Sequence, residues 1–367
     1  MHLLPGPEAL TAEWLTQALR KTGTIGNETS VASFHFLNPE DERGVAGQHA
    51  RLGLDYDPVE DNAPHSVFAK FAMADPEVRK GAHEYKIFLR EIKFYQELAG
   101  QVPLRTPRCY YSDLDMATGE FVLLLEDMSD WESGSFVAGC SAREAQSVVG
   151  ELARPHAAWW ERPQLKTLDY AEADPVNFEW FRTTFLQHWQ PFLERRGESL
   201  SAELIEVSER VARHIPEVLT HLHHTRPRTL IHYDCHLDNL FFRTTAEGHV
   251  AVAVIDWQLY FIGRGAYDVA YFLAGNLEPD TRRSCELPLL QTYHELLHEQ
   301  GVKGYSFTTC LEDYRMFLLE GLFRMVFNAV FLNLSPEQKR VHLEVYAVRF
   351  LQAVQDHDSV ALLPPEE

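Results

Sequence analysis

Between Leu230 and Gln258 the chain gathers residues that could move a phosphate. His232, Asp234, His236, Asp238 and Asn239 stand close together, framed by the apolar Leu230-Ile231 and Leu240-Phe241-Phe242. A polar turn, Thr244-Thr245-Ala246-Glu247-Gly248, leads on to Val252-Ala253-Val254-Ile255-Asp256-Trp257-Gln258. Two apolar runs around such a turn can pair as a hairpin, which would carry Asp234, Asn239 and Asp256 towards one end. Carboxylate and amide oxygens grouped in this way suit Mg²⁺, and a carboxylate beside that cation suits phosphoryl transfer.

The pattern His232-x-Asp234-x-x-x-x-Asn239, followed by Ile255-Asp256, resembles the core of kinase-fold small-molecule phosphotransferases. These include aminoglycoside phosphotransferases, choline kinases and the ecdysteroid-kinase-like group. The resemblance implies Asp234 as catalytic base, Asn239 and Asp256 as magnesium ligands, and ATP as phosphoryl donor. Tyr233 stands where most such proteins have glycine, and Asp256-Trp257-Gln258 replaces the Asp-Phe-Gly of protein kinases. Both departures lean away from protein kinases. So does the absence of an Ala-Pro-Glu and the short stretch between Asp256 and Asp268, which leaves little platform for a peptide.

The elements that must position these groups can be read in order. A short helix starts at Thr11, a plausible cap, with Trp14, Leu15, Ala18 and Leu19 on one side. In the resembled families a glycine turn between the first two strands covers the phosphates. Gly44 and Gly47 could supply it, or form an ordinary hairpin turn. Ser66–Ala72 reads as a strand with Lys70 among apolar residues. The resemblance gives Lys70 the α and β phosphates; the alternative is a solvated edge lysine. A helix from about Ala82 to Leu98 offers Glu91, or Glu84 one repeat earlier, as its partner. Cys109–Ser112 and Phe121–Glu126 form a second hairpin around Thr118-Gly119. The run then breaks at Asp127, like the hinge between kinase lobes, and the carbonyl of Glu126 and the amide of Met128 are the candidates for reading adenine.

Beyond the hinge the pattern is mostly helical. Pro155 should kink or break the stripe Ala145, Val149, Leu152, His156, Trp160. His156 reads as a core residue. Phe178, Phe181, Phe185, Trp189 and Phe192 read as core packing, with the wall of an apolar acceptor pocket as the alternative. His236 could donate to the moving phosphoryl group or simply brace its loop. Cys235 lacks a dedicated base, and Asp234 beside it disfavours a thiolate. Asp268 reads as a brace of the catalytic loop or a helix cap, and Arg264 as a group reaching substrate or phosphate. Further helices are expected over Leu287–Glu299, Leu311–Leu334 and Glu337–Val354.

Strands first and helices later make an α+β chain, here a bilobal protein-kinase-like fold. The small lobe would span 1–128 with the nucleotide-binding strands and hinge, and the helical lobe 129–367 with the catalytic loop, metal ligands and acceptor pocket. A length of 367 residues suffices for two such lobes. The net charge of −21 argues against nucleic acid as a partner. Five scattered cysteines, with no Cys-x-x-Cys, fit a reducing, cytoplasmic compartment and no zinc site. Met316–Leu332 is apolar, but Glu320, Arg324 and Asn328 recur along it at helical spacing, so it reads as a buried helix rather than a membrane span. No signal peptide is evident. The expected activity is ATP- and Mg²⁺-dependent phosphorylation of a small-molecule alcohol: an aminoglycoside, a choline-like compound or a bulky apolar alcohol such as a steroid. A nucleotide-binding pseudokinase acting as an interaction module is the second reading.

Overall fold

Strand-forming residues crowd into the first third of the chain, and helical periodicity takes over after it. The structure, a computed structural model, describes residues 2–37, 47–196, 200–331 and 336–365. They form two compact units. One comprises Met1–Trp131 with Val254–Leu259, the other Glu132–Ala253 with Tyr260–Glu367. Gly44 lies outside the described residues.

The first unit is built on an antiparallel sheet of order β1-β2-β3-β5-β4: β1 (Ser30–Phe36), β2 (Gln48–Asp57), β3 (Ser66–Phe71), β4 (Cys109–Leu114) and β5 (Phe121–Glu126). Helix α1 (Ala12–Lys21) starts where expected, with the Thr11 hydroxyl accepting from the Trp14 N–H at 3.1 Å. Its Leu15 and Leu19 pack with Leu52, Val67 and Leu124 from the sheet. Burying apolar side chains of this size contributes roughly 1.5–3 kcal/mol each, so this face holds the sheet that carries Lys70. The single helix expected from Ala82 to Leu98 is three pieces: α2 (Pro76–Glu84), α3 (Ile87–Lys93) and a π-helical turn over Phe94–Leu98. The break falls at Lys86, which takes a left-handed backbone (φ 57) that cannot continue a right-handed helix.

The second unit is mainly helical. It contains α4 (Ala142–Trp159), α5 (Pro175–Arg196), α6 (Ala202–Arg213), α7 (Ile215–His224), α8 (Ala266–Asn276), α9 (Pro279–Glu299), α10 (Phe307–Phe331) and α11 (Pro336–Asp356). Helix α8 is buried along its whole length and forms the centre. Helix α4 opens with a reciprocal Ser141–Glu144 capping box and runs through Pro155 without the expected break. Proline there removes one helical hydrogen bond near the end, while buried Ala153, His156 and Trp159 hold the turn. Two small sheets complete the unit, β6 (Glu132–Ser133)-β8 (Leu240–Thr244)-β9 (Val250–Val254), and β7 (Thr229–Ile231) with β10 (Phe261–Gly263). The expected hairpin is thus β8–β9, turning at Gly248 (φ 81). Leu230 and Ile231 do not join it; they pair with Ile262 and Phe261. Among the described residues no helix is long and apolar enough to cross a membrane.

Candidate active site

In the first unit, β3 places the Lys70 side chain inside, 6% exposed. Its Nζ donates to Glu91 Oε1 at 2.6 Å and Oε2 at 2.8 Å, and to Asp256 Oδ1 at 3.3 Å. Of the two acidic candidates, the partner is Glu91. Glu84 lies on the other side of the Lys86 break, exposed, 4.0 Å from Lys80. Burial acts to strip the Lys70 proton, but the carboxylates of Asp256 and Glu91 outweigh it and raise its pKa. Burial also pushes the Glu91 carboxyl up to about 7, against the pull of Lys70. The amine therefore stays charged between two acids.

Asp256 is held from behind. The Trp257 ring stacks on Phe94, centroids 3.9 Å apart and 4° from parallel. The Gln258 carbonyl accepts from Arg90 Nε at 3.1 Å, and the Gln258 amide donates to Asp256 Oδ2 at 3.3 Å. Asp256 itself takes φ 61, a left-handed backbone that Asp tolerates better than most residues. His49 on β2, in register with Lys70, also belongs here: burial and the Lys70 charge lower its pKa to about 4, leaving a neutral imidazole. Sequence periodicity around His49 was too irregular to reveal it.

In the second unit, Asp234, His236 and Asn239 come together in the loop between β7 and β8. Asn239 Nδ2 donates to the Asp234 carbonyl at 3.0 Å and to Asp234 Oδ2 at 3.3 Å, and lies 3.1 Å from His236 Nε2. His236 Nε2 is 3.4 Å from Asp234 Oδ2. Burial would raise the Asp234 pKa, but His236 and Arg324 outweigh it and hold the carboxyl well below the usual carboxylate range. The loop is braced from several sides. Asp268 accepts from the N–H groups of His232 (2.7 Å) and Tyr233 (2.9 Å), and Asn276 Oδ1 from that of Leu237 (2.8 Å). Gly134 presses so closely that a Cβ on it would sit 2.3 Å from the Leu237 carbonyl oxygen. The expectation of a bracing Asp268 matches this geometry. His156 is the buried core residue it was read as, bonded to Asp268 Oδ2 (3.1 Å) and Tyr293 Oη (2.9 Å).

Other expectations need correction or completion. Arg264 does not reach outward. It is buried and bonded to Asp313 Oδ2 at 2.7 Å, an acid that also accepts from the Tyr305 hydroxyl. Cys235 is fully buried and burial raises its thiol pKa well above the ordinary value, so it is no nucleophile. Gly47 is explained by packing: a Cβ there would lie 2.7 Å from the Phe71 carbonyl oxygen. Glu126 ends β5 with its N–H on the Arg108 carbonyl, and Met128 is buried with its carbonyl accepting from Trp131. Phe178, Phe185, Trp189 and Phe192 are buried, as core packing requires. Phe192 also lines a cavity of about 350 Å³ with Leu204, Met325 and Leu343. Trp180, by contrast, is 37% exposed, and Phe181 meets Phe327 of α10 at 5.0 Å.

Arg324 of α10 is the residue that sequence reasoning passed over as part of a polar stripe. Its Nη1 donates to Asp234 Oδ1 at 3.1 Å and its Nη2 to the Tyr233 carbonyl at 3.2 Å. Nothing local could have signalled a partner 90 positions away.

Each unit carries oxygen donors of the kind a hard divalent cation takes. In the second unit Asn239 spends its amide nitrogen on the loop, which leaves its carbonyl oxygen unspent on that bond; in the first, Asp256 has a carboxylate 26% exposed. Among the described residues no cluster of three or more His, Cys, Asp or Glu side chains could hold a metal ion.

Five antiparallel strands with a buried Lys–Glu pair, and a helical unit carrying an Asp–Asn loop, define an α+β kinase-like fold of the phosphotransferase type. The chain belongs to the ecdysteroid kinase-like family, whose model matches residues 45–303; Arg324 lies beyond that stretch. No curated protein matches the chain. Among solved structures it is similar to a choline kinase from Cryptosporidium parvum Iowa II (12% identity, 96% of each chain, TM-score 0.55). It is also similar to a putative aminoglycoside phosphotransferase from Ralstonia eutropha JMP134 (15% identity, 96% of this chain and 98% of that one, TM-score 0.53). A third is an ethanolamine kinase from Plasmodium vivax (11% identity, 90% and 83%, TM-score 0.51).

Proposed function

We propose that this protein transfers the γ-phosphoryl group of ATP to a hydroxyl of a small molecule, with Mg²⁺. The observation that carries this reading is the Lys70 amine, buried and charged between Glu91 and Asp256. Burying such a group is costly and is poorly justified by stability alone, whereas a triphosphate needs a fixed cation. Lys70, oriented by Glu91, binds the α and β phosphates. Asp234, kept anionic, orients the acceptor hydroxyl and takes its proton. His236 steadies the Asp234 carboxylate or donates to the transferred group. Asn239 and Asp256 would hold Mg²⁺, which when bound neutralises charge on the β and γ phosphates. The backbone of Glu126 and Met128 reads the adenine edge. Gly47 would stand at the end of the phosphate-covering turn. Positioning and charge account for most of the catalysis in such a transfer.

For the acceptor, the relatives named above point to amino alcohols and aminoglycosides, while the exposed Trp180 beside Phe181 and Phe327 favours a bulky, partly apolar alcohol. The setting we infer is cytoplasmic. The test is turnover of ATP and Mg²⁺ with kanamycin, choline and a hydroxylated steroid, comparing Asp234→Asn and Asp256→Ala with the parent. Loss of at least about 100-fold in kcat in both variants is expected. Unchanged turnover in both would falsify the reading. ATP binding by the parent chain with no transfer to any acceptor or to water would favour a nucleotide-binding module instead.

A further inference from the structure

Resting on the reading of Asp234 as the base, we propose that Arg324 is a positioning residue of the transfer reaction. It sets the angle at which the Asp234 carboxylate meets the acceptor hydroxyl. The guanidinium has three edges in use and each goes to a different partner. Nη1 takes Asp234 Oδ1 (3.1 Å), Nη2 takes the Tyr233 carbonyl (3.2 Å), and Nε takes Glu320 Oε1 one helical turn back (3.0 Å). The rings of Tyr233 and Tyr271 lie 4.4 and 4.8 Å from its central carbon. Glu320 is fixed in turn, accepting from the hydroxyls of Tyr233 (3.2 Å) and Tyr267 (2.9 Å). Each edge of the fork is thus held by a partner of its own.

What it fixes follows from the contacts. Oδ1 of Asp234 belongs to Arg324, while Asn239 holds Oδ2 from the loop's own side. Holding one oxygen from the helix and the other from the loop restricts how the carboxylate can turn. The second prong, on the Tyr233 carbonyl, pins the peptide immediately before the base. Helix α10 thus reaches the chemistry through Asp234, without any need for Arg324 to touch the acceptor. Lysine could keep the charge but satisfy only a point contact, not three directions at once.

The experiment uses the full chain with ATP, Mg²⁺ and the fastest acceptor of the panel above, or transfer to water if none is taken. Arg324→Met is expected to lower kcat on the order of 100-fold, with KM for ATP within about threefold of the parent, an allowance set by the usual spread of such effects. Arg324→Lys recovers part of that loss, and Glu320→Gln, which frees the fork without removing it, falls between Arg324→Lys and the parent. In an Asp234→Asn background, Arg324→Met costs little more, because the residue acts through the base. Should Arg324→Met fail to fold, Arg324→Lys and Glu320→Gln decide by the same kcat and KM readings. A kcat near parental in these variants, or a loss that simply adds to that of Asp234→Asn, overturns the proposal. An Asp234→Asn variant as active as the parent would instead overturn the assignment of the base, so the two failures are distinguishable.

Discussion

Tyr233 carries a backbone conformation (φ 68) that glycine would adopt without strain, yet its side chain is among the best-held in the second unit. The ring stacks on Tyr267 at 4.9 Å, sits under Arg324, and its hydroxyl reaches Glu320. Truncating a buried aromatic costs about 3–5 kcal/mol, and relieving the left-handed backbone returns about 1 kcal/mol. Tyr233→Gly should therefore lose about 2–4 kcal/mol in urea denaturation, the balance of those two terms. Lys70 obeys the other rule of buried charge. Lys70→Met leaves Glu91 unpaired and should cost about 3 kcal/mol, a good part of which Glu91→Gln restores in the same background. A double-mutant denaturation cycle measures both. Lys70 and Asp234 were legible because their neighbours on strand or loop are local. Arg264 was misread because its partner, Asp313, sits on a helix whose packing against it leaves no trace in the sequence near either residue.

At the scale of elements, the broken α2–α3 pair decides which acid meets Lys70. A continuous helix would keep Glu84 and Glu91 on nearly one side; the turn at Lys86 sends Glu84 into solvent. No proline or glycine marks that break, so hydrophobic spacing alone ran straight through it. Lys86→Gly should be stabilising by about 0.5–1 kcal/mol, because glycine takes a left-handed backbone without the Cβ penalty; a rise in urea midpoint checks it. Gly134 makes the opposite case. Gly134→Ala must push the Leu237 carbonyl, which no flexible side chain can absorb, and with it the loop holding Asn239. A loss of about 1–3 kcal/mol is expected from such overpacking, with weaker Mg²⁺-dependent ATP binding measured by calorimetry.

For the whole molecule, buried imidazoles set the acid limit. His223, packed between Phe178 and Tyr233, has its pKa lowered by burial to about 3. Its unfolded form takes up protons from pH 6.5 downward while the folded form does not. The stability it contributes is thus present above pH 6.5 and drains away as pH falls towards 3. Between pH 7 and pH 5 the loss should be roughly 2 kcal/mol, and His223→Phe should flatten that part of a denaturation–pH curve. The broad order of strands then helices, and the β8–β9 hairpin, were readable from residue patterns, but the membership of Val254–Leu259 in the first unit was not, since it depends on contacts between Trp257 and Phe94. That six-residue loan has a genetic consequence. A gene cut after codon 131 would encode a sheet deprived of Asp256 and of the indole that covers Phe94. A segment ending there would not carry the whole of the first unit, because Val254–Leu259 is encoded far downstream.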